Sequence, residues 1–143
     1  MIPLALAKQL KDAGLTWRPE LLDYFGLPDR SMDERIFVIS DMLATVELLA
    51  GSQMVAFQGA SEWALDSIIT QDVVWIPRED QLRLAFEAAL LESGRPEFMI
   101  TGGLGGYQIE LIFGEQKLAF NAANLEDAYA RALLHLLRSM HAG

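Results

Sequence analysis

The chain has 143 residues, 52% of them hydrophobic, and a formal net charge of −9 from 20 acidic and 11 basic residues. The absence of cysteine excludes disulfides, thiol nucleophiles and thiolate metal sites. With only three lysines (Lys8, Lys11 and Lys117), the acidic surface repels phosphate backbones and disfavours nucleic-acid binding.

This length suits one domain. The apolar share exceeds the roughly 45–50% of average proteins, so the surplus fills a large core or lies on a surface that meets a partner, a second copy included. No run approaches the ~18 apolar residues of a membrane span. The opening "MIPLALAKQLK" carries its charges after its apolar run, whereas a signal peptide places them before it. These features read as a soluble cytoplasmic protein with no membrane partner.

In chain order, Pro3 and the spacing of Ile2, Leu6, Leu10 and Ala13 predict a helix over 2–13, stopped by Gly14. "RPELLDYFG" (18–26) reads as a second short helix, opened by Pro19 and closed by Gly26. "PDRSMDER" (28–35) reads as an acidic loop and "RIFVIS" (35–40) as a strand. Residues 43–49, "LATVELL", fit either a helical face or a strand. The following Gly51-Ser52 and "QMVAFQG" favour a hairpin. "EWALDSII" (62–69) and "DVVWIP" (72–77) read as strands.

Pro77 precedes a clear helix with Glu79 and Asp80 in its first turn, a core stripe of Leu82, Phe86, Ala89 and Leu90, and a stop at Gly94 and Pro96. Strands follow over 107–113 and 117–122, joined by a tight Gly114-Glu115 turn. Asn124 then caps a last helix whose core stripe is Leu125, Ala128, Tyr129, Ala132, Leu133, Leu136, Leu137 and Met140. Consecutive strands without intervening helices imply an α+β fold: one domain spanning 1–143, an antiparallel sheet of short strands with helices packed on it.

The stretch "TGGLGG" (101–106) invites a phosphate-cradle reading. A dinucleotide fingerprint needs three spaced glycines after a strand and before a helix. Gly103 and Gly105 supply two, but Gln108 stands at the third place, and "YQIELIF" has strand character. A P-loop needs a Gly-Lys pair, which the chain lacks. The stretch therefore reads as a mobile connection whose glycines tolerate positive φ. No cofactor is expected.

The two histidines, His135 and His141, lie six residues apart, about 600° around a helix, and do not clamp one metal. His135 shares a helix face with Arg131 and Arg138, a candidate anion-binding stripe, and Asp127 stands four residues before Arg131. The bland counterpart is the wet face of an amphipathic helix. Trp63 and Trp75 are candidate pocket aromatics, or core.

Glu62 and Asp66 resemble an acid/base pair. On a strand they stand about 13 Å apart, beyond the roughly 5–9.5 Å that glycosidases use. Asp66 stays a candidate ligand-binding residue beside the tryptophans. Asp29, Asp33, Glu34 and Asp41 cluster around one loop, and no G-x-S-x-G elbow occurs. No catalytic or metal site is legible.

"FVISDM", "WALDS", "WIPREDQL" and "AFNAANLEDAYARALLHLL" resemble a family of small bacterial proteins that carry a pilus-assembly label, and "AGLTWRP" extends the likeness to the opening helix. The last segment is similar to small phage-encoded proteins ending in a strand and an alanine-leucine-rich helix. The resemblance implies strands over 43–49 and 62–69 and supplies no catalytic residue. Its label implies a nucleotide-binding ATPase, whose phosphate loop this sequence lacks.

Three functions are compatible with these features. The first is a non-catalytic protein-interaction or accessory domain. The second is an enzyme or small-ligand binder whose site is assembled from distant residues. The third is a phage-derived accessory or immunity-type protein with a basic target.

Overall fold

The computed structural model describes residues 1–28, 32–39, 44–49, 52–57, 67–69, 73–94 and 97–141. The elements run α1 (Leu4–Asp12), β1 (Tyr24–Leu27), β2 (Met32–Val38), β3 (Ala44–Leu49), β4 (Ser52–Phe57), β5 (Ser67–Ile69) and β6 (Val74–Ile76). They continue with α2 (Glu79–Glu92), β7 (Phe98–Gly103), β8 (Gly106–Phe113), β9 (Gln116–Ala122) and α3 (Leu125–His141). The fold is α+β, and every described strand pairing is antiparallel. The chain forms two compact units: Met1–Leu15 with Pro77–Gly143, and Thr16–Ile76.

In the first unit, α1 follows Pro3, whose carbonyl accepts from Ala7 N–H at 3.0 Å. It ends in a Schellman motif: Gly14 N–H donates to Lys11 O at 3.0 Å and Leu15 N–H to Leu10 O at 2.9 Å. Arg78 N–H donates to the Gln81 side chain at 2.9 Å at the start of α2. The buried residues of α2 are Leu82, Phe86, Ala89 and Leu90, as their spacing predicts. Asn124 Oδ1 accepts from Asp127 N–H at 2.9 Å and caps α3 as expected.

Strands β7, β8 and β9 form a meander with β8 in the centre. Helix α3 packs on β8 and β9, and also on α1 and α2. This crowding explains why Ala130 and Leu134 are buried in addition to the expected core stripe. Phe86, fully buried, meets Phe98 edge-on at 5.1 Å and lies 5.7 Å from Tyr129.

The glycine-rich stretch is part of this meander and not a mobile connection. Residues Phe98–Gly103 are a strand, Gly103 pairs with Gly106, and Leu104 and Gly105 form the turn. No helix starts there. "FMIT" supplies β-branched and aromatic strand formers, and the adjacent glycines obscure that signal. Gly106 adopts φ +128°, and a Cβ there would lie 2.6 Å from the Ala122 carbonyl oxygen. A Cβ on Gly102 would lie 2.8 Å from the Tyr107 ring, which occupies that cross-strand position. Two glycines are thus demanded by packing, and Gly103 and Gly105 face open space.

In the second unit, β1 lies between β2 and β6, and β3, β4 and β5 form a separate sheet. The pairing of Leu49 with Ser52 closes the expected hairpin between β3 and β4. Strand β5 covers the end of the expected 62–69 strand; residues 61–66 lie outside the described residues.

Two further expectations are corrected. Residues 18–26 form no helix: Tyr24 onward is strand, with Phe25 opposite both Phe37 and Trp75. The side chain of Asp23 accepts from Glu20 N–H at 3.0 Å and shapes a turn where a helix would need free backbone. Strand β2 starts at Met32 and ends at Val38, so it takes in residues read as loop.

Substituting Gly106→Ala is expected to cost more than about 1 kcal/mol, from positive φ and collision with Ala122. Gly103→Ala and Gly105→Ala are expected to stay within about 0.5 kcal/mol. Urea denaturation of the three variants checks the contrast.

Burial pushes the Tyr129 phenol above its ordinary value of 10.0; Arg83 opposes the shift, and Glu79 and Glu87 add to it. The folded state therefore holds that proton more tightly than the unfolded chain. The associated stability is complete below the unfolded value and is lost as pH rises through the folded one. Denaturation midpoints measured from about pH 8 to 11 are expected to fall less steeply in Tyr129→Phe than in the parent.

Candidate functional site

Three of the residues singled out in the sequence come together in the first unit. Arg131, His135 and Arg138 all line a groove of about 500 Å³ bordered by α1, β9 and α3. From α1 come Leu6 and Gln9, and from β9 comes Phe120. The Phe120 and His135 rings lie 5.5 Å apart at 47°. Arg131 and Arg138 are exposed and His135 is half-buried.

The groove has a mixed character. Leu6, Phe120 and Leu134 give it apolar lining, and Asp127 lines it with a carboxylate. The spacing of Asp127 and Arg131 suggests an ion pair, but no such pair forms within 4 Å. Arg131 Nη1 instead donates to the Asn121 carbonyl at 2.9 Å, which ties α3 to the end of β9. Asp127 is already committed through its backbone to the Asn124 cap, and its buried Oδ1 has no partner among the described residues. Among those residues neither Arg131 nor Arg138 has a carboxylate within ion-pairing distance.

A second hollow of about 450 Å³ shares Gln9 and Arg138 with the groove and adds Asp12, Gly14 and His141. The His141 ring lies so close over Gly14 that a Cβ there would be 2.6 Å from Nε2. The two histidines occupy separate hollows, as their spacing predicts. Among the described residues, no group of three or more His, Cys, Asp or Glu side chains could hold a metal ion. The glycine hairpin borders a shallow hollow of about 510 Å³ with Asn121 and Ala122. None of its lining residues belongs to a helix.

Trp75 belongs to the second unit. It is half-buried and stacks on Trp17 at 6.4 Å with the rings 8° from parallel. Trp17 also lies 6.0 Å from Phe25, which stacks on Phe37 at 5.4 Å. This is an aromatic core cluster. Trp75 Nε1 is buried and has no partner among the described residues. Trp63 and Asp66 lie outside the described residues.

Sequence reasoning missed Leu6, Gln9 and Phe120, because the groove exists only once α1 and β9 flank α3. It also missed Asp23, the one buried charged residue among those described. Asp23 accepts from Trp17 Nε1 at 2.9 Å as well as from Glu20 N–H, and so seats the aromatic cluster.

The described helices include none long and apolar enough to cross a membrane. Comparison of the chain with protein-family models, curated proteins and solved structures gave no match.

Asp23→Ala is expected to cost about 1–3 kcal/mol by leaving two part-buried donors unpaired. Asp23→Asn, which keeps an acceptor, is expected to lose less. Urea unfolding followed by tryptophan fluorescence checks both.

Proposed function

We propose that this chain is a non-catalytic protein-interaction domain that self-associates through its β7–β8–β9 meander. One observation carries the reading: the large apolar side chains exposed on that meander. Leu104 is fully exposed, and Met99, Ile100, Tyr107 and Leu118 keep between 36% and 50% of their surface open to solvent. Exposed apolar groups gathered on one sheet favour a protein partner over water. Strand β7 is an edge of its sheet, and an edge strand is a template for pairing with another chain. Two copies meeting along β7 would each bury Met99 and Ile100 of that strand, with Leu104 of the turn beside them, the usual form of a twofold dimer.

A cysteine-free sequence suits a reducing compartment, and we place the protein in the cytoplasm. The phage-derived alternative, an accessory or immunity-type protein with a basic target, fits the net charge of −9. A second reading, a small-ligand binder, is favoured by the groove that gathers Arg131, His135 and Arg138.

Sedimentation equilibrium tests the leading reading. The parent is expected to be dimeric at micromolar concentration, and Leu104→Asp with Ile100→Lys to be monomeric with unchanged circular dichroism. A parent that stays monomeric at about 100-fold higher concentration overturns it.

A further inference from the structure

The wet face of α3 is confined and cationic. At about 100° per residue, the buried residues of α3 from Ala128 to Leu137 span an arc of about 240°. The remaining window holds Asp127, Arg131, His135 and Arg138, and all four line the groove. On a protein of net charge −9, this is a place where positive side chains gather beside apolar surface.

We propose that this groove binds an acidic peptide segment of a partner protein. The inference extends the interaction-domain reading by naming the partner's chemistry at a second surface.

Charge complementarity is the first argument. Arg131 and Arg138 stand two helical turns apart, about 10 Å along the axis and nearly on one line. A peptide in the polyproline II form repeats every three residues at about 3.1 Å each. Carboxylates three residues apart on such a peptide fall on one ridge about 9 Å apart, in step with the two arginines. Guanidinium groups grip carboxylates in two-point fashion, and among the described residues neither arginine has a carboxylate within ion-pairing distance.

The lining supplies the second argument. The two residues between the carboxylates fall on the two adjacent ridges, one toward Leu6 on α1 and one toward Phe120 on β9, both half-buried with apolar surface. Gln9, exposed on α1, offers both a donor and an acceptor to a passing peptide backbone. A small inorganic anion would use the arginines and leave the apolar lining wet.

The test uses the full chain and a fluorescein-labelled peptide with two glutamates three residues apart and leucines between them. Fluorescence anisotropy is expected to show saturable binding that weakens with added salt. It is expected to weaken about tenfold in Arg131→Gln/Arg138→Gln, and likewise for the peptide with glutamines in place of glutamates. Both arginines are exposed, so the variant is expected to keep the parent's circular dichroism.

Unchanged binding by the double variant overturns the proposal. So does full displacement of the peptide by equimolar phosphate, which makes the groove a small-anion site, or by an equimolar oligonucleotide. The Leu104→Asp variant is expected to bind the peptide as the parent does. Loss of peptide binding with self-association intact refutes the groove alone, and a monomeric parent that still binds the peptide refutes the sheet interface alone.

Discussion

The burial of α3 is the constraint on which the rest of the first unit depends. Within seventeen residues this helix meets α1, α2, β8 and β9. Four neighbours fit only because the faces alternate in size. Ala128, Ala130 and Ala132 let neighbouring backbones come close, while Tyr129, Leu133, Leu136 and Leu137 fill the wider gaps. The Asn124 cap fixes where the helix begins, and the Arg131 bond to Asn121 fixes where it stands against β9. A slip of one residue would rotate the helix by about 100° and exchange leucines for arginines at the sheet.

How much of this was legible depended on whether the signal was local. The three helices, the Asn124 cap, the Gly14 stop and the stripe of α2 are written in spacing of three and four residues, and the structure keeps them. The burial of Ala130 and Leu134 was not legible, because it depends on which elements pack around α3, and α1 and α2 come from far earlier in the chain. The segment around Tyr24 misled for a related reason. Pro19 and Gly26 suggest helix punctuation, but strand β1 is held between the next strand, β2, and the much later β6. Neither partner can be read from the nine residues themselves.

The glycine stretch shows the same division at finer scale. Composition draws attention to "TGGLGG" as a possible phosphate cradle, and the absent lysine and third glycine argue against it. What composition could not reveal is that the glycines have different reasons to be there. Gly106 is fixed by its backbone angle and by Ala122 across the sheet, and Gly102 by the ring of Tyr107. Both reasons are cross-strand contacts, which exist only when β7, β8 and β9 are in register.

The groove follows from the same packing. A helix covered over about two-thirds of its circumference leaves one narrow strip to water, and its soluble residues must share that strip. In an isolated helix, arginines and a histidine on such a strip would be an ordinary solvated face. Here α1 and β9 rise on either side and turn the strip into a trough with Leu6 and Phe120 in its walls. The residues that distinguish a binding groove from a wet helix face are therefore not the cations but their apolar neighbours. Those neighbours come from the two ends of the chain's first unit, so packing decides between the two readings where helical spacing alone does not.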